Sequence, residues 1–410
     1  MQYFIQIVLD GNFLTIILMG DKMKRALIIT CDKFPRGNAG ATRQEILAKL
    51  FFETEYYVDL IGLGASTRYQ YVDLCEGIRY ISLRNTKQNL FTRIVDRVLF
   101  AKRAIKECDN SISKYDAILI EAVPRAVIKY VKKYAKKNGT ILIHDSVEWY
   151  SASEHKLGKL SPAYLVKDML NRRWITSDFR VIAISNFLKE HFVSKGCKCV
   201  RIPFIHDVQG VEPEKKVTDD KIVFVYAGMM GYKDHLRTFL EAVSRLDKVS
   251  RQRIDIRLFG PTREYMIETK NADDSLLVEL GDCVEFFGRV SRETVEKNLL
   301  MADFALLFRN PDERYAKAGF PTKVVESLMY ATPMLCNLSS DLGLYLRDGV
   351  NCMLAQSEST EDICDALQRI LKLTLEERME MQKSARKCAI ENFDYRIYRD
   401  TFFEIICEEK

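Results

Sequence analysis

The residues best suited to chemistry lie in one short stretch of the chain, residues 319–328 (GFPTKVVESL). Pro321 suits the first turn of a helix, where its missing N–H is not needed. The free N–H groups of that turn and the helix dipole attract anions, and Thr322 and Lys323 add a hydroxyl and a cation. Glu326 follows one turn later, where its carboxylate can accept hydrogen bonds from ribose hydroxyls. This combination suits a nucleotide diphosphate, although an ordinary strand-loop-helix unit with a capped helix shows the same pattern.

Two glycine-containing segments follow predicted strands and precede predicted helices. Residues 34–42 (FPRGNAGAT) contain Gly37 and Gly40, whose lack of a side chain lets a substrate approach backbone N–H groups. In doubly wound sheets, ligands bind at this carboxyl edge of the strands. The alternative is a plain turn between a strand and a helix.

The second of these segments, residues 225–234 (VYAGMMGYKD), repeats the arrangement in the other half of the chain. Gly228 would lie at the end of a strand, and Lys233 at the mouth of a cleft, where a phosphate could take its charge. A surface lysine at the start of a helix is the alternative.

A histidine and an aspartate end a third strand-like run, residues 140–145 (TILIHD). His144 can donate a hydrogen bond or carry a proton near neutral pH, and Asp145 follows it. Trp149 and Tyr150 could stack against a sugar on the acceptor side. The alternative is a histidine satisfied within the core and two packing aromatics.

Residues 84–106 have the composition of a basic amphipathic helix. They contain seven basic residues and one acidic residue, with apolar side chains between them. This pattern suits an anionic membrane surface, and it is equally typical of a solvated helix face.

The composition of the whole chain limits the possible classes. The 410 residues are enough for two domains, and 47% hydrophobic and 29% charged residues indicate a globular protein. A net charge of +5 is too small to suggest a nucleic-acid-binding protein. The eleven cysteines are scattered, which favours buried thiols in a reducing cytosol. No convincing metal-ligand cluster is visible, so we expect neither a metal nor another cofactor.

Short apolar runs alternate with amphipathic stretches, which predicts α/β architecture with a parallel sheet in each half. A polar, proline-containing linker at 207–220 separates the halves, and residues 392–410 are predicted to be helical. Residues 1–22 are too interrupted to span a bilayer and make a poor signal peptide. We expect Met23 to be the initiator; a short interfacial anchor is the alternative. The predicted strands are 26–30, 58–62, 78–83, 117–121, 140–144, 181–185, 200–203, 222–227, 254–259, 284–287, 304–308 and 334–336.

The chain resembles the family-4 retaining glycosyltransferases of GT-B fold, and the resemblance is most specific across residues 286–351. Among them it is most similar to the bacterial transferases of capsule, exopolysaccharide or O-antigen assembly. The resemblance implies two Rossmann-like doubly wound domains facing a central cleft. Residues 23–206 would bind the acceptor, with the C-terminal helix at about 392–410 packed back on them. Residues 207–391 would bind the nucleotide sugar, and residues 1–22 would be an extension.

The resemblance also implies roles for single residues. Glu326 corresponds to the second glutamate of an E-x7-E motif and would bind ribose. Lys233 would contact the donor diphosphate, His144 would lie near the transferred sugar, and the loop from Gly37 to Gly40 would close over the donor phosphates.

Two positions depart from the family pattern. Ala318 stands where the first glutamate of the motif is expected, and Met229 replaces an arginine that often follows the glycine at 228. The missing glutamate removes a usual contact to the donor sugar, and the missing arginine removes one diphosphate cation. Arg309, Lys317 or Lys323 could compensate for the second loss.

These residues and the resemblance predict an enzyme, a hexosyl-type glycosyltransferase. It would transfer sugar from a UDP- or GDP-type donor to a glycan or lipid-linked acceptor, with retention of anomeric configuration, in bacterial surface polysaccharide synthesis. We expect it in the cytoplasm, or bound peripherally to the inner face of the membrane through residues 84–106. A non-catalytic nucleotide-sugar-binding partner of an assembly complex, and a GT-B-fold epimerase, are the alternatives.

Overall fold

The structure is a computed structural model that describes residues 4–9, 12–17, 23–33, 38–63, 70–75, 77–83, 100, 114–215, 218, 220–228 and 233–407. The chain forms two compact units, Met1–Ile143 and His144–Lys410. The division lies well before the linker predicted at 207–220, within a strand at Ile141–Ser146.

The first unit contains a mainly parallel sheet. Its strands and helices are β3 (Lys24–Lys33), α1 (Ala39–Glu53), β4 (Tyr56–Leu63), β5 (Gln70–Cys75), β6 (Ile78–Leu83), β7 (Ala117–Glu121), α2 (Arg125–Asn138) and the start of β8 (Ile141–Ser146). Within this unit the strand order is β7-β3-β4-β6-β5, and β5 is antiparallel to β6. The predicted strands at 26–30, 58–62, 78–83 and 117–121 are confirmed, whereas the edge strand β5 was not predicted.

The first unit also contains a pair of strands that was not predicted and a helix with a side-chain cap. Residues 1–22 contain an antiparallel hairpin of β1 (Phe4–Leu9) and β2 (Asn12–Ile17). Helix α1 begins after Asn38, whose side chain accepts a hydrogen bond from the Ala41 N–H at 2.9 Å.

The second unit begins with the end of β8 and a short parallel pair, β9 (Arg180–Ala183) and β10 (Cys199–Arg201). The N–H of Ile184 donates to the carbonyl of Ser146 at 3.0 Å. The helices of this segment are α3 (Pro162–Met169), a π-helical turn (Leu170–Trp174) and α4 (Asn186–Ser194), with single 3-10 turns at Ala152–Glu154 and Gly158–Leu160.

The rest of the second unit is a six-stranded, fully parallel sheet. The strands are β11 (Ile222–Ala227), β12 (Ile254–Phe259), β13 (Val284–Gly288), β14 (Phe304–Leu307), β15 (Met334–Cys336) and β16 (Cys352–Leu354). They are ordered β13-β12-β11-β14-β15-β16. The order reverses between β11 and β14, which creates the crevice at the carboxyl ends of the strands where such sheets bind ligands.

Helices pack their apolar residues, which recur at helical spacing, into the core of this unit. In α5 (Leu236–Ser244), for example, Leu236, Phe239, Leu240 and Val243 are all buried. The other helices are α6 (Lys248–Gln252), α7 (Arg263–Glu268), α8 (Asp274–Leu280), α9 (Arg292–Met301), α10 (Arg314–Ala318), α11 (Thr322–Met329), α12 (Thr360–Leu371), α13 (Leu375–Phe393) and α14 (Arg399–Ile406), with 3-10 turns at Gly281–Cys283, Leu342–Leu344 and Tyr395–Tyr398.

The last helix, α14, packs against β9 and β10, and Arg180 donates hydrogen bonds to the carbonyls of Ile405 and Cys407 at 2.8 and 2.6 Å. These strands lie in the segment that the sequence analysis assigned to the acceptor domain. None of the helices in the described parts of the chain combines the length and apolar character that crossing a bilayer requires.

Candidate functional site

Helix α11 carries the most distinctive residues of the sequence to the crevice edge of the six-stranded sheet. Pro321 is its N-cap, in extended conformation. Val324, Val325 and Leu328 are buried, and their spacing fixes one face of the helix against the core. Lys323, between them in sequence, is placed on a different face, where it reaches the ends of neighbouring strands.

The ammonium group of Lys323 lies in a narrow slot. Its Nζ is 2.5 Å from Oδ2 of Asp234 and 3.9 Å from the centre of the Tyr226 ring. Burial lowers the pKa of Lys323 below its ordinary value, although the carboxylate of Asp234 opposes this shift. The slot therefore holds a cation that is partly stripped of water.

Asp234 gathers three donors from three different elements. Besides Lys323, it accepts from the Tyr226 hydroxyl at 2.8 Å and from Nε of Arg309 at 3.1 Å. Burial opposes its ionisation, but Lys323 and Arg309 outweigh burial and hold the pKa of Asp234 far below its usual range. The cluster thus contains one carboxylate and two cations, which leaves a net positive charge at the crevice.

The position of Arg309 is itself fixed by the sheet. It follows β14, and its backbone exchanges two hydrogen bonds with the side chain of Asn337, which follows β15: the Arg309 N–H donates at 2.9 Å and its carbonyl accepts at 2.7 Å. Of the compensating residues that the sequence suggested, Arg309 and Lys323 are brought together. Lys317 is exposed and instead pairs with Asp312 at 3.6 Å.

Glycines stand at three neighbouring strand ends, and one of them, Gly228, lies directly against Lys323. A Cβ on Gly228, at the end of β11, would lie 2.6 Å from Cε of Lys323. A Cβ on Gly260, after β12, would lie 2.1 Å from the carbonyl oxygen of Gly228, and Gly260 has a φ of +113°. The Gly260 N–H donates to the carbonyl of Gly288, at the end of β13, at 2.7 Å. Only glycine fits such close backbone approaches.

Glu326 lies one turn inside α11 and is partly exposed. Burial raises the pKa of Glu326, while Arg292 and Lys323 oppose the shift. Within the residues that the structure describes, its carboxylate forms no hydrogen bond or ion pair. An acceptor left available beside a cationic site fits the ribose-binding role that the resemblance implies.

Lys233 occupies a second group of charges. Its Nζ lies 2.7 Å from Glu154 and 3.9 Å from Glu148, and it faces the rings of Tyr150 and Tyr315 at 5.5 and 5.4 Å. Burial disfavours the ionised form of Glu148, but Lys167 and Lys233 outweigh it and keep the pKa of Glu148 below its ordinary value. The lysine predicted to bind phosphate is thus held by carboxylates here.

The histidine segment is more buried than its predicted role suggests. His144 and Asp145 lie within β8 and are each 1% exposed, and the ring of His144 packs edge-on against Phe192. Trp149 is also buried, donates from Nε1 to Asp168 at 2.9 Å, and has the guanidinium groups of Arg172 and Arg314 5.1 and 4.8 Å from its ring centre. For Trp149, this placement fits a packing aromatic and argues against an exposed acceptor surface. Tyr150 is partly exposed and stays a candidate.

Other predicted residues lie in the first unit or outside the described residues. Gly40 is in the first turn of α1, in the first unit. Gly37, Met229 and residues 84–99 and 101–106, most of the predicted basic helix, are not among the described residues. Thr322 is the first residue of α11, and Pro321, predicted in the first helical turn, instead precedes the helix as its N-cap.

Ala318, which replaces the expected glutamate, is completely buried, and its carbonyl accepts a hydrogen bond from the Ser185 hydroxyl at 2.7 Å. A longer, charged side chain would therefore need a rearranged environment at this position.

Sequence reasoning missed Asp234, Glu154 and Gly260. Asp234 directly follows the predicted Lys233, and an acidic residue in a basic site carries no distinctive sequence pattern. Gly260 had a usable signal, because a glycine directly after a buried strand often marks a close backbone approach. Among the described residues, no group of three or more His, Cys, Asp or Glu side chains could hold a metal ion.

Comparison with known proteins identifies the second part of the chain. Residues 209–388 match the family model "Glycosyl transferases group 1". This part of the chain is similar to a group 1 glycosyltransferase domain. The match supports a transferase enzyme, as predicted. A search of curated protein sequences finds no match.

Solved structures agree on the fold. Sucrose-phosphate synthase from Thermosynechococcus elongatus is similar with a TM-score of 0.70 at 13% identity, covering 93% of this chain and 98% of that one. An E. coli trehalose-6-phosphate structure bound with UDP-2-fluoro glucose gives 0.68 at 10% identity, covering 93% and 99%. HepE from Anabaena, in complex with UDP and glucose, gives 0.62 at 12% identity, covering 92% and 98%. The prediction of a GT-B fold with two Rossmann-like domains is confirmed.

The close approach at Gly260 predicts a large effect of a small substitution. Gly260→Ala would drive a methyl group into the Gly228 carbonyl, so the backbone that borders Lys323 must shift. We expect a loss of stability greater than the roughly 1–2 kcal/mol that a left-handed backbone costs a non-glycine residue. Thermal denaturation measures the difference.

The matched control is Gly349→Ala. Gly349 also has a positive φ, +71°, but a Cβ there would meet nothing within 4 Å. If both variants lose the same stability, the close packing of Gly260 on Gly228 has no energetic consequence.

Proposed function

We propose that the protein transfers a hexose-type sugar from a UDP- or GDP-sugar to a glycan or lipid-linked acceptor, with retention at the anomeric carbon. The group 1 glycosyltransferase match supports the reaction class. Two similar structures, the E. coli protein and Anabaena HepE, were solved with UDP-2-fluoro glucose and with UDP and glucose. By analogy, the donor of this chain is a nucleoside-diphosphate sugar.

The observation that carries the proposal is the cation cluster at the start of α11. Lys323 and Arg309 share one carboxylate, that of Asp234, and so retain a net positive charge beside the free N–H groups of the first helical turn. Glu326 lies on the same helix one turn later. A diphosphate at the helix start and a ribose beside Glu326 satisfy both features at once.

In this proposal, the cluster stabilises the leaving group. Breaking the glycosidic bond leaves negative charge on the diphosphate, and preorganised cations and N–H groups lower the free energy of that state without a metal ion. Lys233 would join them by exchanging Glu154 for the phosphate. His144 and Asp145 would orient the donor sugar, and Tyr150 would contact the acceptor.

The acceptor and setting are inferred from the sequence. A role in bacterial surface polysaccharide synthesis rests on the resemblance to capsule, exopolysaccharide and O-antigen transferases. Peripheral membrane association rests on the basic composition of residues 84–106, because such segments are attracted to anionic lipids.

Reversal of Arg93, Arg97, Lys102 and Arg103 to Glu should abolish co-sedimentation of the protein with anionic vesicles. Retained binding would exclude this segment as the anchor.

The donor site predicts a selective response to nucleotides. One nucleotide family among UDP-, GDP-, ADP- and CMP-sugars should raise the melting temperature of the wild-type protein, because a ligand that binds only the folded state stabilises it. Glu326→Gln should weaken that binding about tenfold or more, since hydrogen bonds to a charged acceptor contribute about 1.5–3 kcal/mol. Calorimetric titration measures the loss.

The control is Glu264→Gln, which neutralises an exposed carboxylate in the first turn of α7 and should leave affinity unchanged. Unchanged affinity in Glu326→Gln would contradict the ribose-binding role. His144→Ala should bind the nucleotide normally in the same titration but consume the nucleotide sugar more slowly in an activity assay; full activity would remove His144 from the site.

A further inference from the structure

The buried carboxylate of Asp234 is the part of the site that neither the sequence motifs nor the proposed reaction explains. Its side chain is 7% exposed, and all its described partners are donors: Lys323, Arg309 and Tyr226. A carboxylate is an unexpected neighbour for a phosphate site, because it repels the ligand. Its presence therefore calls for a role other than ligand contact.

The partners of Asp234 come from separate elements whose relative position matters. Tyr226 is the penultimate residue of β11, Arg309 follows β14, and Lys323 lies in the first turn of α11. These two strands flank the point at which the strand order reverses. One carboxylate thus fixes two cations at the crevice, and the hydroxyl of Tyr226 fixes the carboxylate.

The slot around Lys323 shows why such a fixed point is needed. Lysine has a long, flexible side chain, and the burial of its ammonium group favours the neutral form. Burial already lowers the pKa of Lys323, and the charge of Asp234 opposes this shift more than any other group does. Without that charge, Lys323 would lose its proton at a lower pH and would have no carboxylate to direct its ammonium group.

We propose that Asp234 is a positioning residue for the donor diphosphate: it holds the ammonium group of Lys323 and the guanidinium group of Arg309 in place and does not itself touch the ligand. This inference rests on the proposed function of the site. It assigns the missing family arginine at position 229 a replacement in Arg309, anchored through Asp234. The single carboxylate of Asp234 thus keeps two cations, Lys323 and Arg309, at the site.

The test uses Asp234→Asn, which keeps the size of the side chain and an acceptor for Tyr226 but removes the charge. UDP and GDP are titrated separately into each variant between pH 7 and 9.5. Asp234→Asn should bind about tenfold more weakly at pH 8, equivalent to one pKa unit of lost interaction. Its affinity should also fall at lower pH than that of the wild type, because Lys323 deprotonates earlier.

The groups that can contribute to this pH profile are few within the described residues. Those that interact with Asp234 or Lys323 are Arg309, Tyr226, Tyr315 and Glu326. The pKa values of Tyr226 and Tyr315 are raised by burial, that of Tyr315 to about 12, so neither tyrosine titrates in the range used.

Tyr226→Phe is the matched control. It removes a 2.8 Å hydrogen bond to the same carboxylate but leaves the charge, so its pH profile should follow that of the wild type. In the double variant, Asp234→Asn should add little to the loss of nucleotide affinity that Lys323→Gln causes alone. The two residues act through one interaction. Asp234→Glu, which restores the charge, should recover the wild-type profile and keeps the test decisive if the asparagine variant does not fold.

The outcomes separate this inference from the proposed function. A wild-type protein that binds neither UDP nor GDP contradicts both. A wild-type protein that binds, together with an Asp234→Asn variant of equal affinity and identical pH profile, contradicts only the positioning role. A pH profile of Asp234→Glu that matches the asparagine variant also overturns it.

Discussion

One buried carboxylate, shared by two cations, is the interaction on which the candidate site depends. Asp234 is almost inaccessible to water, and leaving it unpaired would cost several kcal/mol. Lys323 and Arg309 remove that cost, and in return they are fixed at the start of α11 and beside the end of β14. The net charge of the cluster is positive, so the same contacts that stabilise the fold leave an attractive site for an anion.

The parallel sheet explains why these residues meet. The strands β12, β11 and β14 end at one edge, and the strand order reverses between β11 and β14. Gly260 lets the ends of β12 and β11 approach closely, and the missing side chain of Gly228 leaves room for the side chain of Lys323. The cations thus converge from sequence positions far apart, which is how a fold shared by many proteins can carry a particular ligand site.

The fold was largely predictable because each parallel strand is a short apolar run followed by an amphipathic helix. The six strands of the second sheet include five that were predicted, and the short edge strand β16 (Cys352–Leu354) was missed. The π-helical turn and the hairpin in residues 1–22 have no comparable pattern. For the site, Lys323 and Glu326 were identified because a proline, a cation and a carboxylate have a recognisable helical spacing.

Other parts of the site depend on tertiary contacts that a single sequence does not contain. Nothing adjacent to Asp234 in sequence indicates that its partners are Arg309 and Lys323, which lie 75 and 89 residues away. Trp149 was proposed as an acceptor surface from its type alone, and its burial between Arg172 and Arg314 could not be foreseen. Lys233 was expected to be available for phosphate, whereas Glu154 and Glu148 hold it.

The most direct measurement is the ³¹P nuclear magnetic resonance spectrum of UDP and of GDP with the protein and two lysine variants. The account predicts that the wild-type protein shifts the phosphate resonances of one nucleotide. Lys317→Gln, which changes an exposed lysine in the neighbouring helix α10, should preserve that shift, and Lys323→Gln should abolish it. Phosphate resonances that respond equally in Lys323→Gln and the wild type, or that do not respond to the wild type at all, would contradict it.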